Sequence, residues 1–147
     1  MNFFWVIPKQ LAGSEIPTSK ADFQWIKTQG IKAIVSLTKT PSNPTLVQVF
    51  GLEVHHLPIR DRTAPKQHQF DTFVEIVNNL LTKDKSVLVH CLGGVGRTGT
   101  MLACYLVSQC NNPRDAINEV RRKQPGSIHL RSQVLSIIEY ARRHGKE

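Results

Sequence analysis

Cysteine is scarce in this chain of 147 residues: Cys91, Cys104 and Cys110 are the only three, and they show no paired CxxC spacing. An odd number without that spacing argues against a disulfide framework or a zinc cluster, so no metal is expected and the compartment should be reducing, cytoplasmic with the nucleus also open. Long apolar runs are missing too. The opening MNFFWVIPKQ is aromatic and apolar, but it lacks a basic start and Pro8 breaks its short run, so neither a signal peptide nor a membrane span is expected. There is no internal repeat, low-complexity tract or linker composition. A length near that of one ordinary domain therefore makes residues 1–147 a single expected domain, long enough to bury a core. Acids are few, eleven against nineteen Lys and Arg, for a formal net charge of +8. Residues 111–147 hold eight of those bases against four acids, net +4, and the first 110 residues supply the other +4. Arg121, Arg122 and Lys123 form one basic run and Arg142 and Arg143 another, without interleaved aromatics. They read as solvated helix faces that attract anions in general, and neither nucleic acid nor membrane is an expected partner.

What is present is an alternation of strand-like and helix-like segments. FFWVI and QLAGS suit short early strands, and PTSKADFQWIKTQG carries a Thr18 or Ser19 cap and a Gly30 stop around a helix. IKAIVSLT, GLEVHHLPI and SVLVH read as further strands. Between the last two, Phe70, Phe73, Val74, Val77, Leu80 and Leu81 recur at helical spacing. MLACYLV, apolar nearly all round, predicts an enclosed central helix, NPRDAINEVRRK a helix with Pro113 near its start, and SQVLSIIEYARR a last one with Val134, Ile137, Ile138 and Ala141 on one stripe. The alternation predicts an α/β domain: a mainly parallel central sheet with helices on both faces.

The stretch VHCLGGVGRTGT, residues 89–100, admits two phosphate-binding readings. From Gly94, GVGRTG matches the dinucleotide fingerprint. That reading needs a second strand ending in an acid about 20 residues further on. Asp115 and Glu119 fall near that distance, but nothing around them resembles a strand, and a Walker loop fails because Cys91 and Arg97 stand where its first glycine and its lysine belong. From His90, every residue finds a use. A turn between strand and helix aims successive backbone N–H groups inward and adds the helix dipole, making an anion cradle from Leu92, Gly93, Gly94, Val95 and Gly96. Cys91 at its base would feel the same field, which favours its thiolate and makes it a nucleophile at neutral pH. Arg97 would clamp two phosphate oxygens as a bidentate fork, Thr98 would offer its hydroxyl to the sulfur, and His90 would orient the loop by hydrogen bonds to backbone. Cys104 and Cys110 lack such surroundings and read as core or near-core thiols.

HCLGGVGRTG resembles the HCxxGxGR[ST] signature of cysteine-dependent protein tyrosine and dual-specificity phosphatases. NFFWVIPKQLAGSEIP, IVSLT, GRTGTMLACYLV and QPGSI resemble further parts of a small atypical dual-specificity phosphatase, so the likeness spans nearly the whole chain. The resemblance implies a cysteine-phosphatase fold, a phosphocysteine intermediate, no cofactor or metal, and phosphorylated proteins as partners, with a monomer expected. It also implies a general acid on an upstream loop: Asp61 in HLPIRDRTAP is the only acid there, although Ile59 and Arg60 stand where tyrosine-specific members carry tryptophan. By the same resemblance, Gln133 would place the hydrolytic water. Leu92 and Val95 are uncharged where lipid phosphatases of the superfamily carry lysines, and Gly96 stands where RNA 5′-triphosphatases carry asparagine before the arginine. Phosphotyrosine is therefore the expected substrate, with phosphoserine and phosphothreonine also open. A catalytically weak phosphate trap, an RNA 5′-triphosphatase and a phosphoinositide phosphatase remain as alternatives.

Overall fold

The computed structural model describes residues 1–146. The chain opens with β1 (Phe3–Ile7) and β2 (Leu11–Ser14), an antiparallel hairpin whose turn places Lys9 at φ +61°. Helix α1 (Lys20–Thr28) starts on a capping box in which Ser19 accepts from Asp22 N and the Asp22 carboxylate accepts from Ser19 N. Then follow β3 (Ile31–Ser36), α2 (Pro44–Val49), β4 (Glu53–His56), α3 (Gln67–Thr82), β5 (Ser86–His90), α4 (Arg97–Ser108), α5 (Pro113–Lys123) and α6 (Arg131–Arg143).

The five strands lie in the order β1-β2-β5-β3-β4, and every pairing except β1 with β2 is parallel. Strand alternation explains why both faces are covered. Leu11, Ala33, Val35, Val87 and Val89 point into one apolar core, which α3, α4, α5 and α6 close. Ala12, Ile31, Ile34 and Leu88 point the other way, into a smaller core shared with Phe23 and Ile26 of α1. Helix α4 is buried from Arg97 to Val107, and its stretch MLACYLV is enclosed as its all-round apolarity predicts.

Several expectations need correction. The segment around residues 44–49 forms a short helix that hydrophobic periodicity did not reveal, because six residues are too few to show a period; Asn43 accepting from Thr45 N and Leu46 N, with Pro44 next, is its start signal. GLEVHHLPI is a regular strand only from Glu53 to His56, at the sheet's edge. Ile138 does not join the buried stripe of α6: Ile137 and Ala141 are buried while Ile138 is exposed. Cys104 is fully buried as expected, but Cys110 is exposed, at φ +79° just past the end of α4.

Candidate active site

The signature loop runs from the C-terminal end of β5 to the N-terminus of α4, at the centre of the sheet. In open α/β sheets, this end of the strands is where ligands bind. The loop is held from three sides. Leu37 N donates to His90 O at 3.0 Å, Ile16 N to Leu92 O at 3.0 Å, and Ile128 N to Val95 O at 3.0 Å. Gly94 sits at φ +80°, and a Cβ there would lie 2.6 Å from the Ser14 carbonyl carbon, so conformation and space both require glycine. Gly96 meets His129 and Gln133, whose nearest atoms would lie 3.0 and 3.3 Å from an added Cβ.

Cys91 is nearly buried, and its Sγ accepts a hydrogen bond from Gly94 N at 3.2 Å. A backbone N–H aimed at the sulfur is the donor the anion-cradle reading requires. Leu92 and Gly93 are exposed at the loop's outer edge, whereas Gly94 and Gly96 are buried. Arg97 is buried despite its charge, because Nη1 donates to the carbonyls of Ile59 at 2.9 Å and Leu37 at 3.4 Å. Nη2 lies 3.4 Å from Asp61 Oδ1. With Nη1 fixed to backbone, the Nε and Nη2 edge is the one turned to the acid, and that is the edge able to fork onto two phosphate oxygens. Asp61 is itself exposed and accepts from Arg62 N at 2.9 Å. The structure therefore brings Arg97, at the end of the signature loop, against Asp61 of the loop after β4, while the backbone of the signature loop holds the Cys91 sulfur.

A cleft of ≈ 390 Å³ opens at Arg97 and Asp61, lined also by Lys39, Pro58, Ile59 and Arg60. Larger surface hollows exist, one of ≈ 840 Å³ against α3 and α6 and one of ≈ 520 Å³ between α5 and α6. Neither is lined by the signature loop.

The supporting residues depart from expectation in part. His90, expected to orient the loop by hydrogen bonds to backbone, faces the Cys91 carbonyl through Nδ1 at 3.4 Å, and its Nε2 pairs with a side chain, Ser42 Oγ, at 2.6 Å. A carbonyl only accepts, so Nδ1 carries the proton and the Ser42 hydroxyl donates to Nε2. Burial pushes the His90 pKa down to about 4, against a slight lift from the Cys91 carbonyl, with Arg97 and His56 adding repulsion. His90 is thus neutral at physiological pH. Thr98 is buried on the first turn of α4, but its hydroxyl makes no hydrogen bond; the expected contact with the sulfur is not formed. Gln133 is buried at the start of α6, where its Oε1 accepts from Leu130 N at 3.3 Å and its Nε2 donates to Thr63 O at 3.5 Å. It thereby joins the acid loop to the neighbourhood of Gly96.

Two further residues escaped sequence reasoning. Ser42 lies 48 positions from the histidine it bonds, and no local pattern pairs them. Arg121, expected on a solvated face, instead donates from Nε and Nη2 to the carbonyls of Ser127 and Ile128 at 3.1 and 2.8 Å. It braces the turn at Ile128, φ +57°, whose N–H holds Val95 of the signature loop. Among the described residues, Arg122 by contrast pairs with Glu119 on its own helix, as a solvated face would. Burial raises the Cys104 thiol well above its ordinary pKa, so it stays protonated.

No helix among the described residues is long and apolar enough to cross a membrane. Residues 1–137 match the model of a family described as PTP-SAK, Swiss Army Knife protein, DSP-PTPase phosphatase domain. The protein tyrosine phosphatase PRL-1 of Leishmania major is 28% identical over 151 residues, covering 97% of this chain and 84% of that protein. A probable protein tyrosine phosphatase type IVA A of Dictyostelium discoideum is 28% identical over 87 residues, 58% of this chain, which spans about half of that relative (52%). Among solved structures, Tk-PTP in its active form superposes with a TM-score of 0.87 at 29% identity, with 97% of each chain covered.

Proposed function

This chain belongs to the DSP-PTPase phosphatase family over residues 1–137 and is by that membership a cysteine-dependent phosphatase; we propose that it hydrolyses phosphoproteins, phosphotyrosine foremost, through a phosphocysteine on Cys91. The observation that supports the residue assignment is the 3.4 Å contact between Asp61 and Arg97, which sets a carboxylate beside the backbone-anchored arginine of the same loop whose backbone holds the Cys91 sulfur.

The chemistry follows from those positions. The Cys91 sulfur attacks phosphorus, an S–P bond forms, and the P–O bond to the tyrosyl oxygen breaks. Asp61 gives its proton to that oxygen as it leaves. The loop N–H groups, the α4 N-terminus and the Nε/Nη2 edge of Arg97 stabilise the charge on the three other phosphoryl oxygens. Water then attacks the phosphocysteine with Asp61 taking its proton, and inorganic phosphate and the Cys91 thiolate are released. Gln133, buried between the acid loop and Gly96, suits the placing of that water. A buried hydroxyl left without a partner costs about 1–3 kcal/mol, and the departing thiolate would supply Thr98 with one. The charge stabilisation comes from protein groups, so the reaction needs no metal. Leu92 and Val95, the variable side chains of the loop, bring no cation to a multiply phosphorylated lipid. A phosphate trap would have no use for the carboxylate that Asp61 holds beside Arg97.

The test is hydrolysis of an aryl phosphate in EDTA with a thiol reductant. Cys91→Ser is expected to abolish turnover while keeping phosphopeptide binding, and Asp61→Asn to lower kcat by about 10²–10⁴ without unfolding the protein. Turnover lost to EDTA, or retained by Cys91→Ser, would overturn the assignment.

A further inference from the structure

The cleft beside the signature loop is unevenly charged. Of its lining residues Lys39, Arg60 and Arg97 are cationic and Asp61 alone is acidic. Arg97 is occupied by the Ile59 and Leu37 carbonyls and by Asp61. Lys39 and Arg60 differ: both are exposed, and among the described residues neither side chain has a hydrogen-bond or ion-pair partner. Other surface cations are taken up by carboxylates, Lys85 by Glu53, Arg143 by Asp71, Arg122 by Glu119 and Arg142 by Glu139.

Their meeting is a consequence of the sheet. The backbones following β3 and β4 stay paired past the last regular residue, with Leu57 N donating to Ser36 O at 2.9 Å and Ile59 N to Leu37 O at 3.0 Å. His56 Nε2 ties on to Thr38 O at 2.7 Å. Lys39 and Arg60, the next residues along the two segments, are thereby carried to the same rim. The carbonyls that orient Arg97 belong to this same paired stretch, so the position of the cations relative to the phosphate clamp is built into backbone hydrogen bonds.

The geometry points to Lys39 and Arg60 as an anion subsite that selects phosphorylated protein segments carrying acidic side chains next to the phosphoresidue. It rests on the phosphatase reading and names the substrate class for that site. With the phosphate clamped by Arg97, a flanking carboxylate would meet unpaired cations, whereas a flanking lysine would meet like charge. Exposed pairs are individually weak, and two acting together on a substrate held in register give discrimination of about tenfold.

The test compares two phosphotyrosine peptides that differ only in having Glu or Gln on either side of the phosphoresidue. The wild type should show kcat/KM about tenfold higher for the Glu peptide, chiefly through KM. In Lys39→Gln/Arg60→Gln that ratio should fall towards one, and each single variant should show part of the loss if the double variant melts early. Lys123→Gln, outside the cleft, should keep the wild-type ratio. A peptide with a second phosphate in place of the Glu separates the two sources of anion: preference for it over the Glu peptide would assign the subsite to doubly phosphorylated segments. Equal use of the Glu and Gln peptides by a wild type that turns over aryl phosphate overturns the inference and leaves the phosphatase reading standing. So does a preference that survives in the double variant, or a water-soluble inositol bisphosphate used better than any peptide. Absence of aryl phosphate turnover would instead remove the phosphatase reading, and the subsite with it.

Discussion

At the scale of single residues, His90 is a cost the fold carries in acid. Its ring is buried against Ser42 and the Cys91 carbonyl, and Arg97 and His56 repel a second positive charge, so its pKa falls from 6.5 to about 4. Well above 6.5 the imidazole is neutral in the folded and unfolded chain alike and contributes no pH dependence. As the pH drops from 6.5 towards 4, the unfolded chain binds a proton that the folded chain refuses, and stability declines by up to about 3 kcal/mol from this group. Urea midpoints for wild type and His90→Gln, followed from about pH 7 to about pH 4.5, check this. The variant should start lower, having lost the Ser42 hydrogen bond, and fall less steeply. Parallel curves would mean that His90 is not the titrating group. The histidine was visible in the sequence as part of the signature, but its partner was not. A strand-end histidine announces a need for a hydrogen bond, whereas the choice of Ser42 depends on how the loop after β3 folds back.

Elements carry the site's geometry, and its legibility varies with how local each element is. The stretch from His90 to Thr98 could be read because nucleophile, cradle and clamp occupy consecutive positions between one strand and one helix, where sequence spacing is spatial spacing. Asp61 could be read only through family likeness, since its closeness to Arg97 depends on two loops meeting across the sheet. Arg121 was misread for a related reason: a basic run at a helix end looks solvated until the next turn is seen to offer carbonyls. Two substitutions test this level. Gly94→Ala would force a side chain against Ser14 at a φ of +80°, and a displacement near 1 Å should lower kcat/KM by about 10²-fold. Arg121→Gln removes the brace on the Ile128 turn, which holds Val95 from outside the loop; at about 0.15 M salt, where the field of distant charges is screened, kcat/KM should fall about tenfold with the melting temperature little changed, while Arg122→Gln alters neither. Steady-state kinetics on an aryl phosphate, beside thermal melts, would decide. Equal effects of the two arginine substitutions would mean that Arg121, like Arg122, acts as part of a solvated face.

For the whole molecule, the charge of +8 acts over a longer range than any of these contacts. The field of so cationic a chain should draw anionic substrates in, which raises the association rate without altering the chemical step. Because the Debye length shrinks from about 30 Å at 0.01 M salt to about 8 Å at 0.15 M, steering by distant cations fades first, and contacts inside the cleft are screened less. Over that salt range kcat/KM for a phosphopeptide should fall severalfold while kcat holds nearly constant. Neutralising remote cations, as in Arg122→Gln/Lys123→Gln, should flatten the salt dependence yet leave the preference for acid-flanked peptides intact, since that preference belongs to Lys39 and Arg60 at the rim. The two effects are separable because one is a property of net charge and the other of position. A salt response that instead disappears with Lys39 and Arg60 alone would show that the rim, and not the overall field, accounts for the attraction of substrate.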